Sequence, residues 1–219
     1  MTRRTAVAVA VALAALVPST ALAHQGNPNF RSIVRQVTPA TTGLSLDVLN
    51  FEDRFEMRNR SGKIVTIQGY NNEPYARLMP DGSVQVNKRS PAYYLNQERI
   101  ASVKVPASAD PKAAPQWQVV DKTGRFQWHD HRMHWMGKSL PPQVKDKSKR
   151  TKIFDYRIPI AVGTTKGAIT GTLVWQPEED KAPIGAFVGL GAVVLLGLGL
   201  VVFVRRRRSR AAEPAGEAW

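Results

Sequence analysis

Three of the four histidines fall within six residues: His129, His131 and His134, in the run Trp128-His129-Asp130-His131-Arg132-Met133-His134-Trp135-Met136. Imidazole is the commonest side-chain metal ligand near neutral pH. On a strand, residues i and i+2 share a face about 6.5–7 Å apart. His129 and His131 can therefore converge on one ion, and His134 joins them if the chain turns. Met133 and Met136 add soft sulfur, which suits Cu(I). Asp130 is a further ligand or an outer partner for an imidazole. The fourth histidine, His24, becomes the first residue of the mature chain if an export signal is cut after Ala23. An α-amine and an imidazole on one residue form a chelate that favours Cu(II).

The same residues also read as a cluster that needs no metal. Asp130, Arg132 and the histidines can form a hydrogen-bonded corner pinning a loop. Trp128 and Trp135 then pack, Arg132 stacks on one of them, and Asp155 and Arg157 complete the network as ion pairs. The chain holds no cysteine, which excludes thiolate catalysis and cysteine metal sites. There is no nucleophile elbow, no His-Glu-x-x-His and no phosphate loop. A His-Asp pair with one of many serines is not established by spacing. No catalytic residue is assigned, so the function classes that remain are metal binding and surface interaction.

These residues need a scaffold, and the chain's two ends say where it stands. Arg3 and Arg4 precede an apolar run of 13 residues, Thr5 to Val17, which is short for a bilayer. Pro18 and then Ala21-Leu22-Ala23 follow, as in a secretory signal, so residues 1–23 are expected to be removed. Ile184 to Val204 is 21 residues without a charge. At 1.5 Å per residue it reaches about 32 Å, close to the ~30 Å hydrocarbon core. Arg205 to Arg208 and Arg210 come next, while Glu178, Glu179 and Asp180 lie on the other flank. The positive-inside rule puts residues 205–219 in the cytoplasm as a basic tail and residues 24–180 outside. Gly185 and Gly189 have the spacing of a helix-dimer contact, so a homodimer through them is a further expectation.

Of 31 basic residues, two lie in the signal and five after Val204. Two of the 17 acidic residues lie in the tail, which leaves the rest about nine charges positive. Such a surface is drawn to membrane lipid and cell-wall polyanions or to another surface protein; outside the cell, nucleic acid is not the expected partner.

Residues 24–180 carry short β-favouring runs broken by turn residues. Strands are expected at 32–37, 44–49, 55–59, 63–68, 76–79, 83–87, 103–105, 117–120, 125–128, 153–162 and 168–175. Pro80-Asp81-Gly82 turns one hairpin, and residues 163–167 close another. Residues 106–115 and the lysine-rich 138–152 read as loops. The pattern predicts a mainly β chain: an immunoglobulin-like antiparallel β-sandwich plus one C-terminal transmembrane helix.

The run from Trp128 to Met136 is accompanied by Glu73-Pro74-Tyr75, by Asn87 with Ser90-Pro91-Ala92-Tyr93-Tyr94, and by Phe154-Asp155-Tyr156-Arg157. Together they resemble uncharacterised actinobacterial single-pass membrane proteins with a Trp-His-Asp-His-Arg-x-His-Trp-Met core. The resemblance covers most of the exported region and implies the same layout. His24 directly after the signal, the inferred sandwich and the Asp130-His131 pair resemble CopC-type copper-binding sandwiches. That resemblance implies copper as the cofactor and His24 among its ligands. The alanine-rich start and the later Asp-Gly-His motif of that family are missing here.

Overall fold

The computed structural model describes residues 27–100, 102–177 and 184–210. The chain divides into two compact units, Met1–Pro177 and Glu178–Trp219. The described residues of the first form ten strands in two antiparallel sheets. They are β1 (Phe30–Thr38), β2 (Leu44–Leu49), β3 (Arg54–Asn59), β4 (Val65–Gln68), β5 (Pro74–Leu78), β6 (Val84–Asn87), β7 (Trp117–Asp121), β8 (Arg125–Trp128), β9 (Thr151–Val162) and β10 (Thr165–Trp175). The seven-stranded sheet runs β1-β10-β9-β4-β5-β6-β7, and the smaller one runs β2-β3-β8.

Alternation makes these strands amphipathic. In β9, Ile158, Ile160 and Val162 point inward while Arg157 is exposed. In β3 and β8, Phe55, Met57, Phe126 and Trp128 are buried. These four join Val65, Ile67, Tyr75 and Leu78 of the large sheet in one hydrophobic core. Each fully buried aliphatic or aromatic side chain there contributes about 1.5–3 kcal/mol. Phe55 lies directly opposite Trp128 across the small sheet, with ring centroids 5.1 Å apart. That pair anchors the end of β8, from which the histidine run departs.

Tyr156 crosses the large sheet to reach Ser32, whose hydroxyl donates to the phenol oxygen at 2.8 Å. The strand between them offers Gly171. A Cβ there would lie 2.2 Å from the Tyr156 ring, so glycine leaves the corridor the phenol uses.

The strand expectations hold with small shifts, apart from three differences. Val103–Val105 is irregular. It has one turn-rich stretch on either side and no partner strand among the described residues. A short helix, α1 (Pro91–Leu95), stands where no helix was expected; Ser90 caps it by accepting from Ala92 N, and proline takes the first turn. The β9–β10 loop is two residues, since Val162 pairs Thr165 and Gly163 adopts φ 59°. The second unit contains α2 (Ile184–Arg210), with Phe187–Arg208 long and apolar enough to cross a membrane. The helix continues past Val204 through the arginines. The residues of the expected signal and of the extreme C-terminus lie outside the described residues.

Candidate metal centre

β8 ends at Trp128, so the histidines do not share a strand face. They sit in the loop that follows. Met133 N donates to Asp130 O at 3.1 Å, which closes a turn and folds the chain back on itself. The reversal brings His134 Nε2 to 2.7 Å from His129 Nε2. One ring nitrogen from each of His129, His131 and His134 lies within 4.8 Å of the others, a group able to hold a metal ion. His129 is 7% exposed and His134 1%, whereas His131 is half-buried.

Each imidazole is held from its other side by a backbone carbonyl. His129 Nδ1 donates to Asp53 O. His134 Nδ1 donates to Trp135 O at 3.2 Å, and His131 Nε2 donates to Glu98 O at 2.8 Å. A carbonyl only accepts, so the nitrogen facing it carries the proton and the second nitrogen keeps its lone pair. This is how outer partners fix the tautomer of metal-binding histidines. For His129 and His134 the consequence is specific. Two Nε2 lone pairs face each other at 2.7 Å, and a cation between them relieves the repulsion. Two imidazole nitrogens on one ion, each at about 2.0–2.1 Å, stand about 2.9–3.3 Å apart. A few tenths of an ångström of opening therefore accommodates an ion.

A proton is a poorer fit for that gap. Burial lowers the pKa of both rings, and it pushes His134 down to about 3 with help from the charges of His129 and Arg99. Neutral buried rings make the stability of the metal-free protein depend on pH. Unfolded histidine takes up a proton near pH 6.5, but these folded rings resist it. The contribution is therefore complete above about pH 6.5 and is lost as pH falls toward the folded values, by at most about 1.4 kcal/mol per pH unit per ring. Urea unfolding of chelator-treated protein should show the free energy declining between pH 6.5 and 5. A flat profile there would contradict neutral buried rings.

Beneath the histidines lies a layer that spacing in the sequence did not indicate. The β2–β3 connection carries Asn50 at φ 49° and Phe51 at φ 70°. Two successive left-handed residues, one of them bulky, are uncommon and are tolerated only where the surroundings hold them. Here Phe51 O accepts from Ser32 N at 2.9 Å, and Arg31 covers the Phe51 ring at 4.1 Å. The pinned tip presents Glu52 and Asp53, both buried, to the histidines. Glu52 Oε2 lies 3.9 Å from His134 Nδ1, and Asp53 Oδ1 lies 3.6 Å from His129 Nδ1. Arg99 pairs with both acids. Burial raises the Glu52 carboxyl above its usual range, while the Arg99 hydrogen bond opposes that. Among the described residues, the buried side-chain atoms without a hydrogen-bond partner are Glu52 Oε2, Asn96 Nδ2 and Arg99 Nη1. Glu52 and Arg99 belong to this layer, and Asn96 accepts from Tyr70, whose oxygen accepts from His131 N at 3.0 Å.

The other sequence candidates separate. Asp130 is fully buried and its carboxylate is taken. Arg132 Nε donates to Oδ1 and Nη2 to Oδ2, each at 2.8 Å, and Trp128 Nε1 donates to Oδ2 at 3.1 Å. Asp130 thus shapes the turn, with both carboxylate oxygens committed to Arg132. Arg132 also donates to Gln68 O and Gly69 O, and stands 4.9 Å from the Tyr70 ring centroid, so its aromatic partner is Tyr70 and not the expected Trp128 or Trp135. Met133 is fully buried in the hydrophobic core. Met136 is half-buried and lines two clefts beside the site. Asp155 pairs with Lys152 and Arg35 and not with the cluster. His24 lies outside the described residues. No family model, curated protein or solved structure matches the chain.

Proposed function

We propose that this chain is an exported, membrane-anchored protein whose β-domain binds copper through His129, His131 and His134. One observation carries the reading: the two Nε2 atoms 2.7 Å apart, on rings whose Nδ1 atoms are both committed to carbonyls. The ligand set is neutral nitrogen, and Cu(II) binds such sets most tightly among the divalent first-row ions. Met136 beside the site would support Cu(I). His24 is a further candidate ligand, because a terminal amine and imidazole on one residue form a chelate that favours Cu(II).

Two antiparallel sheets enclosing one core support an immunoglobulin-like sandwich. One apolar helix followed by arginines supports a single span with the C-terminus in the cytoplasm and the arginines on anionic lipid. The likeness to actinobacterial single-pass proteins with the same histidine core agrees with that layout. Full-length protein in detergent should retain one Cu(II) per chain after desalting, with nitrogen superhyperfine structure in its EPR spectrum. One residue added before His24 should alter that spectrum if the terminal amine is a ligand. A chain that emerges copper-free ends the proposal.

A second reading has its own support. The Asp130–Arg132–Tyr70 network is complete without an ion, and the exposed lysines of residues 138–150 suit cell-wall polyanions. On that reading the domain is a surface interaction module, and copper leaves its melting temperature unchanged.

A further inference from the structure

A cleft of about 500 Å³ opens beside the histidines, with His131 and His134 in its lining. Its polar side chains are nearly all committed. Arg132 is held by Asp130 and by two carbonyls. Asp155 accepts from Lys152 and from Thr172. The Tyr156 phenol meets Ser32, and Trp135 Nε1 donates to Ser139 O at 2.6 Å. The side chain of Arg157, exposed on β9, makes no hydrogen bond or ion pair among the described residues. The rest of the wall is apolar: Trp135, Met136 and Phe154.

From this juxtaposition we propose that the cleft binds a small organic carboxylate, its head between the histidine-held metal and Arg157 and its apolar body against Trp135, Met136 and Phe154. The inference rests on the metal-binding reading above. Three protein nitrogens leave a divalent ion with at least one open position. An ion and an uncompensated guanidinium both favour an anion, and the planar fork of arginine matches a carboxylate. The acid Asp155 beside the cleft does not oppose it, because Lys152 and Arg35 neutralise that charge. A ligand without an apolar part would leave the aromatic wall wet, so small inorganic anions bind more weakly.

Benzoate is the probe, and Co(II) is the reporter, since its visible absorption responds to the ligands it carries. Full-length protein in detergent is loaded with Co(II) and titrated with benzoate, with benzyl alcohol as the uncharged control. Benzoate should change the cobalt spectrum saturably and benzyl alcohol should not. Arg157→Ala should take up cobalt normally, keep its melting temperature and bind benzoate about tenfold to a hundredfold more weakly, the loss of a charge-assisted contact. Arg157→Lys should recover part of that loss. A cobalt spectrum that benzoate leaves unchanged, or equal benzoate affinity in Arg157→Ala, overturns the carboxylate site while the metal site stands. Cobalt uptake no different from that of His129→Ala/His134→Ala overturns both.

Discussion

Replacing His129 and His134 together by alanine should lower Cu(II) affinity by more than about a hundredfold, beyond the loss expected when only an outer partner is removed. The two rings supply the closest nitrogen pair, at 2.7 Å, and His131 alone is a half-exposed single ligand. Thermal unfolding separates this from a folding defect. A ligand that binds only the folded state adds about 2.7 kcal/mol at a hundredfold excess over its Kd. Copper should raise the melting temperature of the unaltered chain and leave that of the double variant where it was. In the metal-free state the substitutions remove two facing lone pairs but open a cavity, so the effects oppose one another. A double variant that still shifts with copper would remove His129 and His134 from the ligand set.

Asp130→Ala should be the most damaging single change near the site, and its damage should not depend on metal. The side chain is fully buried and holds a bidentate ion pair with Arg132, and it also receives the Trp128 indole N–H. Removing one partner of a buried pair costs about 3–5 kcal/mol, because the remaining charge stays desolvated. At about 2–4 °C per kcal/mol for a domain of this size, the melting temperature falls by about 6–20 °C. Copper and chelator should give the same deficit. Asp130→Asn keeps an acceptor for the indole but not the charge, so it should lie between. If instead the deficit appears only with copper present, Asp130 acts on the ion.

The two variants divide a run of nine residues into separate tasks. His129 and His134 meet across their turn, and the Asp130–Arg132 pair locks it. Spacing alone left Asp130 and Met133 as secondary candidates beside the histidines. Met133 is apolar and is drawn into the core, where it is fully buried. Asp130 meets the nearest guanidinium, two residues on. Both outcomes follow from burial, which penalises an unpaired carboxylate and rewards a thioether.

The hairpins were legible because alternation and turn chemistry are local. Asp81 in Pro80-Asp81-Gly82 accepts from Ser83 N at 2.8 Å and Gly82 adopts φ 83°, with Leu78 paired to Val84. Val103–Val105 misled because two valines flanking a lysine have β propensity but no guaranteed partner. Helix α1 was hidden because five residues are too few to show a period, although Ser90-Pro91 is a start signal.

By itself the sequence determined what depends on neighbours along the chain: a mainly β domain, an apolar helix backed by arginines, and three histidines close enough to share an ion. Only the tertiary structure decided which nitrogens meet and what lies behind them. Glu52 and Asp53 come from the β2–β3 tip and Glu98 and Arg99 from beyond α1, more than 30 residues from His131 in either case. Nothing local marks those acids, since an unpaired acid pair in a turn reads as solvated surface. Burial changes their meaning, because a buried acid must find a partner, and here Arg99 pairs with both acids and Arg54 with Asp53.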